Sequence, residues 1–379
     1  MKLRYYTYKG SWNEPLDKSL DSKQTLIFAF GLSNKEAVTA PLREVKDTFG
    51  HSIIIGASTA GEILMDELHD DSLVIAVLQF KTTKIKLITK KIQNTQDSFF
   101  IGESIAHDLD MPHLKSIFIL SDGLQINGSQ LSNGFNSIIK SDVVISGGLA
   151  GDGGAFVSTW VIVDGEAKSG YVSAIGLYGD AIHVGYGSKG GWDIFGIKRE
   201  VTKAVNNTVY ELNKEPILDI YKRYLEDKAK DLPASGLLFP LGIYHDNTNE
   251  NITARTILAI NEEEKSITFA GDIPKGSQVC LMKSNNDRLI DAASTASKEI
   301  NLQNYTNEPL LSLAISCIGR KLVLKQRTED ELEATLQNLP KDTIQIGFYS
   351  YGEISPHGLL GSSLHNQTMT LTTLWESDA

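Results

Sequence analysis

Runs of Ile, Val, Leu and Phe alternate along the chain with amphipathic stretches, a pattern that predicts strands interleaved with helices and an α/β architecture. Strands are expected at Leu26–Phe30, Ser52–Ile55, Leu73–Phe80, Lys84–Ile92, Ile117–Leu120, Val143–Ser146, Trp160–Val163 and Tyr171–Leu177. The short connection between Leu73–Phe80 and Lys84–Ile92 and the Asp164-Gly165 turn each predict an antiparallel hairpin, so the sheets should be mixed.

Three segments repeat one plan: an apolar strand ending near Gly, an amphipathic helix, a second apolar strand, and a glycine-rich turn. They are LIFAFG, a helix over Lys35–Asp47 and SIIIGASTAGEI; SIFILSDG, a helix over Leu131–Lys140 and VVISGGLAGDGG; and LSLAISCIGR, a helix over Glu329–Asn338 capped by Thr328, and IQIGFYSYGEI. Gly31 to Gly56 and Gly123 to Gly148 have equal spacing, which supports duplicated β-α-β units. If the units surround a common axis, their turns meet, and a glycine turn lets a ligand approach the backbone amides closely. The pocket is expected where GASTAGEI, GGLAGDGG and GYGSKGGW converge. A division into two domains is expected near Asn206–Tyr210, with the charged EDKAKD run, Glu226–Asp231, as the alternative boundary.

With 379 residues the chain has ample length for two domains, and a net charge of −11 makes a nucleic-acid partner an unfavourable match. Two cysteines, Cys280 and Cys317, give neither a disulfide framework nor a cysteine zinc site. The longest apolar stretch, Leu237–Tyr244, is far short of the ~20 residues that cross a bilayer, and a cytoplasmic protein without membrane insertion is expected.

Several motifs carry chemistry. GYGSKG, Gly185–Gly190, matches the dinucleotide fingerprint, but the residues after it do not read as the helix that would hold a pyrophosphate. GASTAG, Gly56–Gly61, approaches a nucleophile elbow with Ala60 in the last glycine position, so a hydrolase using Ser58 or Cys317 stands as an alternative reading. None of the eight histidines forms an H-x-x-x-H pair, and His183, inside an apolar strand ahead of the glycine cluster, is the candidate for a ligand or metal role. Trp192, Tyr349 and Tyr351 place rings beside flexible backbone. Arg320 and Glu353 are expected either to pair with each other or to clamp the carboxylate and amine of a ligand.

In order, SIIIGASTAGEI, VVISGGLAGDGG, GGWDIFG followed by VTKAVNNTVYELNKEPILDIY, SCIGR, and GFYSYGEI with NQTMTLTTLW resemble the FIST proteins over nearly the whole chain. The resemblance implies an N-terminal domain over residues 1–207 and a C-terminal domain over 208–379, forming a non-enzymatic sensory module of bacterial signal transduction. Its ligand site is expected at Ser58, Thr59, Gly148, Gly151, Asp152, Trp192, Arg320, Tyr351 and Glu353. The chain is similar in size to a stand-alone subgroup of haem-binding nitric-oxide sensors that act on a histidine kinase in trans. That likeness implies haem b, with His183 as axial ligand and no covalent attachment, as there is no C-x-x-C-H. A haem-free sensor of an amino-acid-like metabolite is the alternative, and both a monomer and a homo-oligomer are compatible with the sequence.

Overall fold

The computed structural model describes residues 1–245, 252–357 and 361–377. Its elements fall into three repeats. The first comprises β1 (Lys2–Tyr8), β2 (Thr25–Gly31), α1 (Lys35–Thr48), β3 (Ile53–Ser58), β4 (Glu62–Leu64), β5 (Glu67–His69) and β6 (Leu73–Gln79). The second comprises β7 (Lys84–Lys91), α2 (Ser98–Leu109), β8 (Leu114–Ser121), α3 (Gly128–Asn136), β9 (Val144–Leu149), β10 (Val161–Val163), β11 (Glu166–Lys168) and β12 (Tyr171–Tyr178).

The third repeat opens with β13 (Ile182–Lys189) and is then interrupted by an inserted unit. That unit contains β14 (Asp193–Ile194), β15 (Arg199–Val205), β16 (Thr208–Leu212), β17 (Glu215–Pro216), α4 (Ile217–Leu225), β18 (Leu241–Tyr244), β19 (Ile252–Arg255), β20 (Ile257–Asn261), β21 (Ser266–Phe269) and β22 (Gln278–Lys283). The repeat resumes with α5 (Asn286–Lys298), β23 (Leu311–Cys317), α6 (Ile318–Leu324), α7 (Thr328–Leu336), β24 (Ile344–Ser350), β25 (Gly352–Pro356), β26 (Ser362–His365) and β27 (Met369–Glu376).

Each repeat centres a six-stranded mixed sheet of the same order: β1-β6-β2-β3-β10-β11, β7-β12-β8-β9-β25-β26 and β13-β27-β23-β24-β4-β5. In each, the central pair is parallel and its neighbours antiparallel. The outer hairpin of every sheet comes from another repeat: β4-β5 of the first completes the third, β10-β11 of the second completes the first, and β25-β26 of the third completes the second. The hairpin exchange ties the three repeats into a closed ring with pseudo-threefold symmetry.

The paired strands are apolar on both faces because each face is covered, which accounts for their unbroken hydrophobic runs. Leu26, Phe28 and Phe30 of β2 face a central core shared with Phe118 and Leu120 of β8 and with Ile315 and Phe348 of β23 and β24. There Phe28 meets Phe118 edge to face at 5.2 Å and Phe30 meets Phe348 at 4.8 Å. Ile27 and Ala29 point the other way, beneath Val38, Leu42 and Val45 of α1. Helices α2 and α3 cover the second sheet, and α5 and α7 the third. The inserted unit has its own core, in which Ile217, Ile220 and Tyr221 of α4 pack on Val209, Leu241, Ile267 and Leu281.

Several local expectations change. Residues 73–80 and 84–92 do not form a hairpin: β6 and β7 lie in different sheets, and the link at 81–83 is held by Glu376, which accepts the Lys81, Thr82 and Thr83 N–H groups. GYGSKG is largely strand, as β13 runs through Lys189. Thr328 opens α7 instead of capping it, and its hydroxyl donates to the Lys325 carbonyl. Residues 206 and 207 are the turn of the β15–β16 hairpin within the inserted unit, while β13 before them and β27 after them share a sheet. The glycines related by the repeat are Gly56, Gly147 and Gly347, not the equally spaced pairs. At each, a Cβ would fall 2.1, 1.9 or 1.8 Å from the carbonyl oxygen of the adjoining strand, Ala29, Ile119 or Ala314 respectively.

Candidate functional site

The three turns after β3, β9 and β24 meet near the pseudo-threefold axis. Ala60 N–H donates to the Tyr349 carbonyl at 2.8 Å, Gly151 N–H to Ser58 at 2.9 Å and Tyr351 N–H to Leu149 at 3.2 Å, one bond per repeat around the ring. The third participant is therefore the SYGEI turn, while GYGSKGGW lies to one side. The junction is closely packed: a Cβ on Gly151 would sit 2.9 Å from the Ala60 nitrogen, and one on Gly148 3.0 Å from Ile315. Gly148 and Gly151 thus serve backbone packing at the axis.

Two of the turns carry the same buried lock. Thr59 Oγ1 donates to Glu62 at 2.5 Å, and the other Glu62 oxygen accepts the N–H and hydroxyl of Ser72 at 3.1 and 2.8 Å. In the third repeat Ser350 donates to Glu353 at 2.7 Å, and Glu353 accepts the N–H and hydroxyl of Thr368 at 3.2 and 2.9 Å. Burial pushes both carboxyls up to about 7, against the pull of these bonds. Arg320 does not pair with Glu353. It is buried against Glu331 at 2.7 Å, and its remaining donors reach the carbonyls of Gly190 and Leu289. The expected carboxylate-and-amine clamp is consequently already satisfied within the protein.

Arg320 and Glu353 instead underpin a cleft of about 770 Å³ between the third repeat and the inserted unit, in the size range of small-ligand sites. Arg320 holds Gly190, Glu353 holds Thr368, and Trp192 Nε1–H donates to the Gln367 carbonyl at 2.9 Å. Trp192, Met282, Ile252 and Ala254 supply apolar wall. Two charged residues at the lip, Lys189 and Asp193, are paired with Glu299 and Arg288.

His357 and His365 also line this cleft, with ring centroids 5.3 Å apart, and the Nε2 atom of each is buried without a partner among the described residues. His245 extends the cluster, 5.1 Å from His357, and bonds the Thr253 hydroxyl at 2.7 Å. Burial drives His365 down to about 3 and lowers His357, with the nearby Arg255 acting in the same direction, so both rings are neutral at pH 7. The Ser355 backbone bonds the His365 ring and works against that shift. Buried polar atoms are almost always paired, so two orphaned imidazole nitrogens in one cleft mark a place built for something else. Among the described residues, no group of three or more His, Cys, Asp or Glu is placed to hold a bare metal ion.

The other expected residues lie elsewhere. His183 is half-buried on β13, stacked on Trp375 with ring centroids 5.4 Å apart, and its Nε2 bonds the Ser377 hydroxyl at 3.1 Å. Ser58 is buried and its hydroxyl accepts from the Trp160 N–H at 3.0 Å. Burial pushes the Cys317 thiol far up, away from a reactive thiolate. Asp152 and Tyr351 bond each other beside a second cleft. His245 and His357 are the sequence's alternatives to His183 as the ligand histidine, whereas His365 is not marked by it, because neither spacing nor strand pattern brings His365 beside His357. The available signal was two histidines with seven residues between them in HGLLGSSLH.

The FIST N domain family model matches residues 25–215, and the FIST C domain family model matches residues 218–356. The chain belongs to the FIST family, whose domains are associated with small-ligand sensing in signal transduction. Among curated proteins none matches the chain significantly.

Proposed function

We propose that this protein is a non-enzymatic, cytoplasmic sensor that holds its ligand in the histidine cleft and reports occupancy to a signalling protein in trans. The observation that carries the reading is the pair of buried, unpartnered Nε2 atoms of His357 and His365 between two separately cored parts of the chain. A ligand bridging the β25–β26 hairpin and the inserted unit alters how the two sit together, which is the form of output a sensor needs. Among the described residues no helix is long and apolar enough to cross a membrane.

Haem b is the ligand class that this donor set fits. His183 does not fit it, because its ring is stacked on Trp375, its Nε2 is engaged by Ser377, and it lines none of the clefts described above. His365 does, with Nε2 unpaired in the cleft and its ring oriented from behind by the Ser355 backbone. Haem held there by His365 would supply an iron able to bind a diatomic gas such as nitric oxide. The residues' own part is to keep His365 neutral, exclude bulk water with Trp192 and Met282, and fix the floor through Arg320 and Glu353. The signalling partner under this reading is a histidine kinase.

Haemin titration of the purified protein tests this. A Soret band is expected in the parent and in His183→Ala, and a lost or shifted band in His365→Ala. A spectrally silent parent overturns the haem reading and leaves a haem-free metabolite as the ligand of the cleft. An unchanged spectrum in both His365→Ala and His357→Ala removes the histidine cleft as the haem site.

A further inference from the structure

A second cleft, of about 630 Å³, lies on another side of the inserted unit and contains neither His357 nor His365. Part of its wall comes from segments that break the pseudo-threefold pattern. In the first and third repeats the turn passes directly into the next hairpin, with Glu62 and Glu353 opposite the residue after the repeat glycine. In the second repeat Val161 holds that register position opposite Ala57, and residues 150–160 intervene before it. The inserted unit contributes Asn206, Asn207, Leu258 and Gly271 to the facing wall.

The extra loop is fastened by Asp152, which accepts the N–H groups of Phe156, Val157 and Ser158 at 2.7–2.8 Å and the Tyr351 hydroxyl. This holds Phe156 at φ 53°, a left-handed conformation unfavourable to a bulky side chain. One face of its ring lies flat on Tyr351, with centroids 4.4 Å apart and planes 13° from parallel, yet Phe156 remains 48% exposed on the cleft. Leu124 and Leu258, similarly exposed, flank it.

Among the described residues lining this cleft none is Lys, Arg, His, Asp or Glu; its polar groups are amides and hydroxyls. The Gln130 amide nitrogen donates to Asp272 at 2.6 Å and that of Asn207 to the Phe269 carbonyl at 2.8 Å. These bonds orient both side chains, and each keeps its amide oxygen, Gln130 Oε1 and Asn207 Oδ1, as an acceptor beside one remaining N–H. A charged ligand would lose its hydration here with no counter-charge among the lining residues, the nearest carboxylate, Asp272, being already bonded by Asn127 and Gln130. A flat uncharged ring would instead continue the Tyr351–Phe156 stack and offer N–H donors to the two amide oxygens.

We infer that this cleft is a second ligand site, for a neutral, planar nitrogen heterocycle carrying N–H donors, of the nucleobase type. Phe156 is its stacking platform, and Gln130 and Asn207 read its edge. The proposal is independent of what occupies the histidine cleft.

Calorimetric titration of the full chain with adenosine, guanosine, uridine, adenine and nicotinamide, beside the charged analogues AMP and nicotinate, tests it. At least one neutral compound is expected to bind with a Kd below about 1 mM and to outcompete its charged analogue. Phe156→Ala should weaken that binding by about ten- to a hundredfold, as loss of one stacking partner does. Phe156→Tyr should restore it, and His365→Ala should leave it unchanged. Failure of every neutral compound to bind, equal binding of the charged analogues, or undiminished binding in Phe156→Ala would each overturn the assignment.

Discussion

The turns of the first and third repeats differ from that of the second in what holds them. Thr59, Glu62 and Ser72 form one closed set of bonds, and Ser350, Glu353 and Thr368 repeat it at equivalent positions. The second repeat has Ala150 and Gly153 where those sets have Thr59 and Glu62 or Ser350 and Glu353, and a surface loop clasped by Asp152 takes over. Two repeats therefore spend the position on closing the ring. The second repeat is released from that duty and presents an exposed aromatic side chain instead, a departure from internal consistency of the kind that accompanies function.

The comparison is broken most completely at the feature all three repeats share. Gly347→Ala would bring its Cβ to 1.8 Å from the Ala314 oxygen, where no relaxation of a flexible side chain can help. Loss of cooperative folding is expected, at a cost above about 4 kcal/mol. A far-ultraviolet melt retaining the parent's midpoint would show that the parallel pair β23–β24 is not needed to close the ring.

Next in size come the two locks. Glu62→Ala or Glu353→Ala removes the acceptor for three buried donors, and each should lower the unfolding free energy by about 3 kcal/mol. Their pH dependence sharpens the contrast with the second repeat. Both carboxyls are raised from 4.5 to about 7 by burial, so across that interval the folded chain keeps protons that the unfolded chain has released. Their contribution is complete below about pH 4.5 and disappears as pH rises through about 7. Glu62→Gln and Glu353→Gln carry no such proton, so denaturation between pH 5 and 8 should show each variant gaining on the parent by about 2.5 kcal/mol. A constant difference across that range would mean that both carboxylates are already ionised when folded. His365 runs in the opposite sense: lowered from 6.5 to about 3, it contributes stability that is lost as pH falls through that interval. His365→Gln should accordingly lose less stability than the parent on acidification.

Much of this scaffold is legible in the amino-acid order. LIFAFG, SIFILS and LSLAISC announce strands covered on both faces, and the spacing of Val38, Leu42 and Val45 announces α1 and its buried side. Locally coded features of that kind survive in the fold. The hairpin exchange does not appear in the sequence, because the antiparallel register of Glu62 with Phe348 or of Glu353 with Gly148 depends on contacts between distant segments. Arg320 illustrates another limit: its partner is Glu331, eleven residues on across the α6–α7 connection, whereas Glu353 is more conspicuous in the sequence because it sits at a strand end. The site residues divide likewise. Trp192 and Tyr351 were visible as rings beside glycine and do line clefts, but His365 and Phe156 depend on which segment faces which across the inserted unit.

The smallest expected effect on stability is also the most discriminating about the second repeat. Phe156→Gly removes a half-exposed ring whose stacking on Tyr351 is worth about 1 kcal/mol. It also relieves a left-handed backbone that costs a non-glycine residue about 1–2 kcal/mol, a strain that Gly does not feel. The three N–H bonds to Asp152 belong to the backbone and survive the substitution. The two changes oppose each other, so urea denaturation should find the variant within about 0.5 kcal/mol of the parent. A ring that contributes so little net stability, held in a conformation the chain must be forced to adopt, has its explanation in what it touches from the cleft side. A loss well above about 1.5 kcal/mol would instead make Phe156 a packing residue, and the second repeat would then be locked after all, by an aromatic pair in place of a carboxylate.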